Sequence, residues 1–366
     1  MAISTHPGWL IPTTVTLLTF GLFSQVTMAQ ERVTLLTNTT FYADNSEFFN
    51  PFRDGETLFG NAVTLAVDVD LNKQVTFRGG IFLNHRYGSE HYAEQWRPVF
   101  RIDLHSNTQR FIIGTLDTFD QAEGVGLVRA GPHDLLPPLQ RETLAFTRPY
   151  ETGAQWIIDT PQIRQDAWIN WQRLNTLMYR ERFDTGITGR LPFDTSIPIA
   201  VAYQFHLVHE GGQQFHTGPV RDSWALGPGI IIEPRISFLD RTTIEGYALF
   251  SRNVPDRTYL EDSDYGHGIF TRFSGEKNGW RGHLTIWGAC DWIKDEGDQN
   301  YGSLRQDGTR FLPTRHYGEI GLAKIFHPAD GVEVESSARV HRIEKDYNYS
   351  YRIIARVGFD FSVWTP

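Results

Sequence analysis

Cysteine and lysine are the residues that this sequence has least of. The single cysteine, Cys290, has no intramolecular disulfide partner, so a disulfide framework is excluded. There are only five lysines, and arginine carries most of the basic charge. The formal net charge of −9 argues against a surface that binds nucleic acid. The stability of an exported chain of this size must therefore come from its hydrogen-bonded framework.

Long apolar runs are also missing, except at the start. The mean hydropathy of −0.35 excludes a bundle of membrane-spanning helices. The one run long enough to cross a membrane is uncharged, covers residues 9–29 and ends in Thr27-Met28-Ala29. We interpret residues 1–29 as a secretory signal peptide, although no Lys or Arg precedes the apolar run. The mature protein then begins near Gln30.

The rest of the chain alternates apolar and polar residues with a period of two. The clearest case is the last segment, where every second residue from Tyr349 to Val363 is apolar or aromatic. Arg352, Arg356 and Asp360 lie on its other face. Alternation of this kind predicts β-strands. The sequence therefore predicts an all-β fold, with one face of each strand apolar and the other charged.

Counting these runs predicts about sixteen strands, with fourteen or eighteen as alternatives because residues 118–165 and 222–241 are ambiguous. An even number places both termini on the same side of a barrel. The predicted class is a transmembrane antiparallel up-and-down β-barrel. The predicted strands are 32–43, 60–71, 75–87, 98–105, 109–118, 154–160, 164–174, 180–191, 196–209, 222–238, 242–253, 265–275, 279–293, 315–326, 332–342 and 347–364.

The connections between these strands are alternately short and long. The inward ones are brief, such as residues 72–74 and 106–108. The outward ones are longer and polar: 44–58, 88–97, 210–221, 254–264 and 294–314. A soluble β-sandwich has no reason to keep one end short. The asymmetry favours a membrane barrel, whose periplasmic turns are short and whose extracellular loops are long.

At this point the chain resembles a bacterial porin-type outer-membrane protein over nearly all of residues 30–366. A local motif supports this, because Arg356-x-Gly358-x-x-Phe361-x-Val363 is similar to the signal that the barrel-assembly machinery recognises. The residues Trp364-Thr365-Pro366 that follow depart from the usual aromatic chain end. The resemblance implies a bacterial outer-membrane location, contact with lipid and lipopolysaccharide, and allows an oligomer.

In porins the third outer loop folds into the barrel and narrows it, and the loop at residues 119–153 is similar in position. It mixes glycine, proline and apolar residues that need a surface to pack against. We expect a constriction in which Asp120, Glu123 and Asp134 face arginines across the channel. A cap on the barrel rim and a latch between subunits are the alternatives.

Charged residues on the strand faces opposite the apolar ones are predicted to line the lumen. Trp280 and Trp292, at the ends of one apolar face, are predicted to belong to the aromatic girdles. Rows of arginine opposite acids in a narrow channel create a field that screens solutes. Besides the three loop acids, the predicted pore-lining residues are Arg78, Arg101, Arg281, Glu333, Glu335, Arg339, Arg352 and Arg356.

No motif for catalysis, a metal or a cofactor stands out. The string from His206 to Glu210 matches neither zinc pattern, and His206 and His209 point to opposite faces of a strand. There is no G-x-S-x-G, and Cys290 on an apolar face is expected to be inert. The sequence therefore predicts no metal, no cofactor and no enzyme activity, and a surface-enzyme barrel is the least favoured reading.

The predicted function is a pore for the passage of small hydrophilic solutes. The alternative is an export channel for an acidic exopolysaccharide, in which arginine pairs with uronate carboxylates and tryptophan stacks on sugar rings. The stretch from Arg164 to Arg182, with Trp168 and Trp171, favours that alternative.

Overall fold

The computed structural model describes residues 32–118, 132–193, 195–215, 218–309 and 312–364. Most of these residues are in β-strands, and the remainder include one helical turn, α1 (Leu144–Thr147), and three short 3-10 helices. The signal-peptide prediction for residues 1–29 lies outside them. The strands are β1 Arg32–Phe49, β2 Asp54–Asn72, β3 Val75–Arg86, β4 Gln95–His105, β5 Gln109–Thr115, β6 Thr152–Asp159, β7 Arg164–Arg173, β8 Glu181–Phe193, β9 Ile199–Gly211, β10 Arg221–Ile232, β11 Arg241–Val254, β12 Asp264–Lys277, β13 Trp280–Cys290, β14 Thr314–Ala329, β15 Val332–Ile343 and β16 Asp346–Trp364.

Each strand pairs with its neighbours in sequence, and the sheet closes where β1 pairs antiparallel with β16. Within the part of the chain that the structure describes, closure leaves no edge strand, so each of these strands has a partner on both sides. The prediction of a sixteen-stranded antiparallel barrel is confirmed.

The outer surface of the barrel is apolar. Leu284, Ile320 and Val340 are register neighbours on β13, β14 and β15, and all three side chains are exposed. Exposed apolar rows of this kind are stable only against lipid. Within the part of the chain that the structure describes, no helix has the length and apolarity needed to cross a membrane.

The predicted outward connection 44–58 is wrong, because β1 continues to Phe49 and β2 begins at Asp54. Several of its polar residues lie in strands rather than in a loop. For example, Asp44 of β1 lies on the lumen side, and its Oδ2 accepts from Arg352 Nε of β16 at 2.6 Å. Polarity alone does not distinguish a solvated loop from the polar side of a strand.

The girdle assignment of Trp292 is also wrong. Trp292 follows the end of β13 and is only 1% exposed, and its indole N–H donates to the Pro138 carbonyl inside the barrel. Trp280 is half exposed on the outer wall, where the prediction placed it.

Two connections fold into the lumen at the end of the barrel that carries the long loops, and we call residues 132–151 and 291–303 the plug. In the first of these, Leu135, Leu136 and Leu139 are buried and join one apolar cluster with Trp168, Phe270 and Trp287 of the wall. In the second, Tyr301 packs on Tyr317 with ring centroids 4.2 Å apart. The plug therefore closes much of the outward half of the lumen.

His133 anchors the plug to the wall. Its Nδ1 lies 2.6 Å from Asp166 Oδ2, its Nε2 lies 2.9 Å from Glu151 Oε2, and its ring stacks on Trp168 at 3.9 Å. Burial lowers the pKa of His133, but the attraction of the two carboxylates outweighs burial and raises it to about 10. His133 is therefore a buried cation held between two anions.

Candidate active site

The last three strands bring a serine, a histidine and a glutamate together on the lumen face. Glu319 of β14 is the register partner of His341 on β15, and Ser350 of β16 is the partner of Arg339, two residues before His341. Side chains two residues apart on a strand share a face. The group lies near the ends of β15 and β16 that face the long connections, just inside the outward mouth of the barrel.

The geometry of this group is that of a nucleophile, a base and an orienting acid. The Ser350 hydroxyl donates to His341 Nε2 at 2.8 Å. His341 Nδ1 lies 3.2 Å from Glu319 Oε2 and 2.8 Å from the Tyr317 hydroxyl, which itself donates to Glu319 Oε2 at 2.6 Å. These contacts set the tautomer in which Nδ1 carries the proton and Nε2 is free to accept one.

Glu319 is fixed from its other side as well. His283 Nε2 lies 2.5 Å from Glu319 Oε1, and Arg339 Nη1 lies 3.8 Å from the same oxygen. Glu319 and His341 are both buried, whereas Ser350 is only partly so. The acid and base are therefore held rigidly, and the hydroxyl is the accessible member of the group.

A small cavity of about 40 Å³ lies over Ser350 and His341. Phe48 covers the His341 ring edge-on at 5.1 Å, and Arg339 and Arg352 line the cavity. Asn348, two residues before Ser350 on the same face, is 1% exposed, and its Nδ2 has no hydrogen-bond partner among the described residues. An unpaired buried N–H is energetically costly.

A second, larger cavity of about 580 Å³ occupies the inward half of the lumen. Glu142 of the plug lines both cavities. Its Oε2 accepts hydrogen bonds from Arg339 Nη1 at 2.9 Å and from Arg352 Nη1 at 3.2 Å. Burial raises the pKa of Glu142, but the two arginines outweigh burial and lower it to about 2. Glu142 and its arginines thus form a partition between the two cavities.

The structure places most of the predicted pore-lining residues around the larger cavity, and their role in selectivity stays a prediction. Glu333 pairs with one of them, Arg356, at 2.8 Å. The lining members are Arg78, Arg101, Arg281, Glu335, Arg339, Arg352 and Arg356.

The predicted loop acids are only partly described. Asp120 and Glu123 lie outside the described residues. Asp134 is exposed in the lumen, and its carbonyl accepts from Gln204 Nε2 at 3.0 Å.

The two histidines near the predicted outward loop have separate acidic partners. His206 faces inward, where its Nε2 lies 3.4 Å from Asp184 Oδ2, and His209 Nδ1 lies 2.7 Å from Asp222 Oδ1. No cluster of potential metal ligands is found among the described residues.

Sequence reasoning missed the Ser350 group. Its three members stand on polar faces of predicted strands, but the register between those strands decides whether they meet. The signal that was available is the coincidence of one serine, one histidine and one glutamate on the polar faces of three successive strands near the same barrel end.

Fold and site together define an outer-membrane β-barrel with a hydrolase-like group inside its mouth. The chain belongs to the lipid A 3'-O-deacylase-type family, whose model matches residues 26–365. This is an enzyme family, so the prediction that the chain is not an enzyme is wrong. No curated protein matches the chain.

Solved structures give the same fold at low identity. A loop deletion mutant of OmpT, an outer membrane protein of Vibrio cholerae, is 9% identical, covers 89% of this chain and 99% of its own, and has a TM-score of 0.54. The in-vitro folded trimer form of OmpT from Vibrio cholerae is 8% identical, covers 90% and 100%, and has a TM-score of 0.53. The predicted outer-membrane barrel and its bacterial outer-membrane location are confirmed.

Proposed function

We propose that the protein is an outer-membrane ester hydrolase that releases fatty acyl chains from lipid A, with Ser350 as the nucleophile. The observation that carries the proposal is the contact of Ser350 Oγ with His341 Nε2 at 2.8 Å, with Glu319 behind the ring. The family is named for deacylation at the 3'-O position of lipid A. The site lies at the outward end of the barrel, the end that meets the leaflet where lipopolysaccharide resides.

The chemistry follows from the arrangement. Ser350 Oγ attacks the ester carbonyl while His341 Nε2 takes its proton, and as the bond to the sugar oxygen breaks, the same nitrogen gives the proton to that oxygen, which leaves as a hydroxyl. Water, activated by His341, next attacks the acyl-serine, and the fatty acid leaves. The guanidinium N–H groups of Arg339 and Arg352, which line the cavity over Ser350, are the available donors to the oxyanion.

Incubation with purified lipid A, followed by mass spectrometry of the lipid and of the released fatty acid, tests the proposal. Ser350→Ala and His341→Asn should each lower the rate by about a thousandfold or more. Ser274→Ala and His209→Asn are matched controls, because Ser274 and His209 lie on other strands away from the site, and they should retain the wild-type rate. Full activity in the Ser350 variant would exclude this nucleophile.

A channel for hydrophilic solutes is a second candidate, favoured by the charged cavity of about 580 Å³ in the lumen. Deleting residues 124–139 should raise single-channel conductance in planar bilayers, since Leu135 and Leu136 pack across the lumen. Neutralising Asp120, Glu123 and Asp134 should shift selectivity toward anions. Unchanged conductance would contradict the channel. Export of an acidic polysaccharide and recognition by the barrel-assembly machinery stay predictions.

A further inference from the structure

Tyr317 stands between the base and the acid of the Ser350 group. Its hydroxyl lies 2.8 Å from His341 Nδ1 and donates to Glu319 Oε2 at 2.6 Å. The direct approach of His341 Nδ1 to Glu319 Oε2 is longer, at 3.2 Å. Hydrogen bonds between a charged partner and an N–H are usually about 2.7–2.9 Å long, so the tyrosine oxygen is the better-placed acceptor for the single Nδ1 proton.

The direction of these bonds fixes where the proton of the imidazole sits. A tyrosine hydroxyl has a single proton to donate, and here Glu319 Oε2 accepts it. The oxygen of Tyr317 can therefore only accept from His341, so Nδ1 carries the proton and Nε2 is free to accept from Ser350. The other oxygen of Glu319, Oε1, lies 2.5 Å from His283 Nε2, which leaves Oε2 for the tyrosine.

The ring of Tyr317 is fixed by packing against the plug. Tyr317 is only 5% exposed, and its ring centroid lies 4.2 Å from that of Tyr301. The backbone carbonyl of Tyr301 in turn accepts from Trp287 Nε1 of β13 at 3.1 Å. A side chain that is locked by packing holds its hydroxyl at a defined position, which is what an orienting group requires.

We infer that Tyr317 is the positioning residue of the Ser350 site, and that Glu319 acts on His341 through the tyrosine hydroxyl. The inference rests on the hydrolase function proposed above. Tyr317 transfers no proton: the Nδ1 proton stays on His341 throughout. When Nε2 takes the proton of Ser350, the carboxylate stabilises the positive charge of the ring through the hydroxyl that it accepts from.

The tautomer of His341 tests the inference without turnover. In protein labelled with ¹⁵N-histidine, the ring signals that disappear in His341→Asn should show a protonated Nδ1 and an unprotonated Nε2 at a pH at which the ring is neutral. In Tyr317→Phe the Nδ1 proton loses its nearest acceptor, so we expect the tautomer with the proton on Nε2 to appear. Tyr247→Phe is the matched control, because Tyr247 is also 5% exposed but lies on β11, and it should leave these signals unchanged.

Hydrolysis kinetics on lipid A complete the test, in variants that migrate on gels as folded barrels. Tyr317→Phe should lower kcat by about tenfold to a hundredfold with KM unchanged, because the lost hydrogen bond is one to a charged ring in the transition state. Tyr247→Phe should retain the wild-type kcat. An unchanged His341 tautomer in Tyr317→Phe, a loss confined to KM, or an equal loss in Tyr247→Phe would overturn the role of Tyr317. The expected tautomer change in a protein that hydrolyses no ester would support that role and overturn the hydrolase function instead.

Discussion

At the scale of single residues, His133 shows how a buried charge fixes the plug. Its pKa of about 10 lies above that of a free histidine, so the folded state binds its proton more tightly than the unfolded chain does. The resulting stabilisation is complete below about pH 6.5 and is lost as the pH rises through about 10.

A titration of the protein labelled with ¹⁵N-histidine measures this directly. The ring signal that disappears in His133→Gln should remain that of an imidazolium through pH 8 and change near pH 10. A midpoint close to 6.5 would show that Asp166 and Glu151 do not hold the proton, and the proposed anchor would then be wrong.

Only some of the residues inside the barrel could be predicted from the sequence. The arginines around the larger cavity were predicted, because they stand on the polar faces of clear strands. Ser350, His341 and Glu319 stand on the same faces, but their meaning depends on contacts between three strands. Asn348 stands out only because its buried Nδ2 has no partner among the described residues, although its Oδ1 accepts from the Phe49 amide. These are properties of the packed structure and not of spacing.

At the scale of the element, alternation predicted the strands because the two sides of a barrel wall meet different solvents. The errors arise where polar residues continue a strand, as at Asp44 to Phe49, or where a strand stops early. The predicted strand 222–238 ends at Ile232, and Pro234, which has no amide hydrogen to donate to a ladder, follows closely. Strand ends are decided by hydrogen bonding, which the alternation does not report.

The two faces of a strand should respond oppositely to a charge. Ile320→Arg places a cation on the lipid-facing side of β14 and should cost about 2–4 kcal/mol if it lies near the midplane. Thr40→Arg points into the larger cavity and should cost roughly 0.5 kcal/mol or less. Reversible unfolding in urea from lipid vesicles gives both values. Equal costs would mean that both faces are buried.

At the scale of the whole molecule, the closed sheet stabilises the fold, whereas the function depends on the plug and the side chains inside the barrel. Every strand is paired on both sides, so removing plug residues 132–149 should leave a barrel that still migrates faster on gels before heating than after it. A mutant that no longer shows this mobility difference would mean that the plug is needed for closure.

Covalent labelling of Ser350 tests the assigned active site directly. A fluorophosphonate reacts with an activated serine, forming an oxygen–phosphorus bond as fluoride leaves. We expect one adduct, located at Ser350 by peptide mass spectrometry, which His341→Asn abolishes and His209→Asn does not. No adduct in the folded wild-type protein, or an adduct on another serine, would contradict the assignment of Ser350, His341 and Glu319 as the active site.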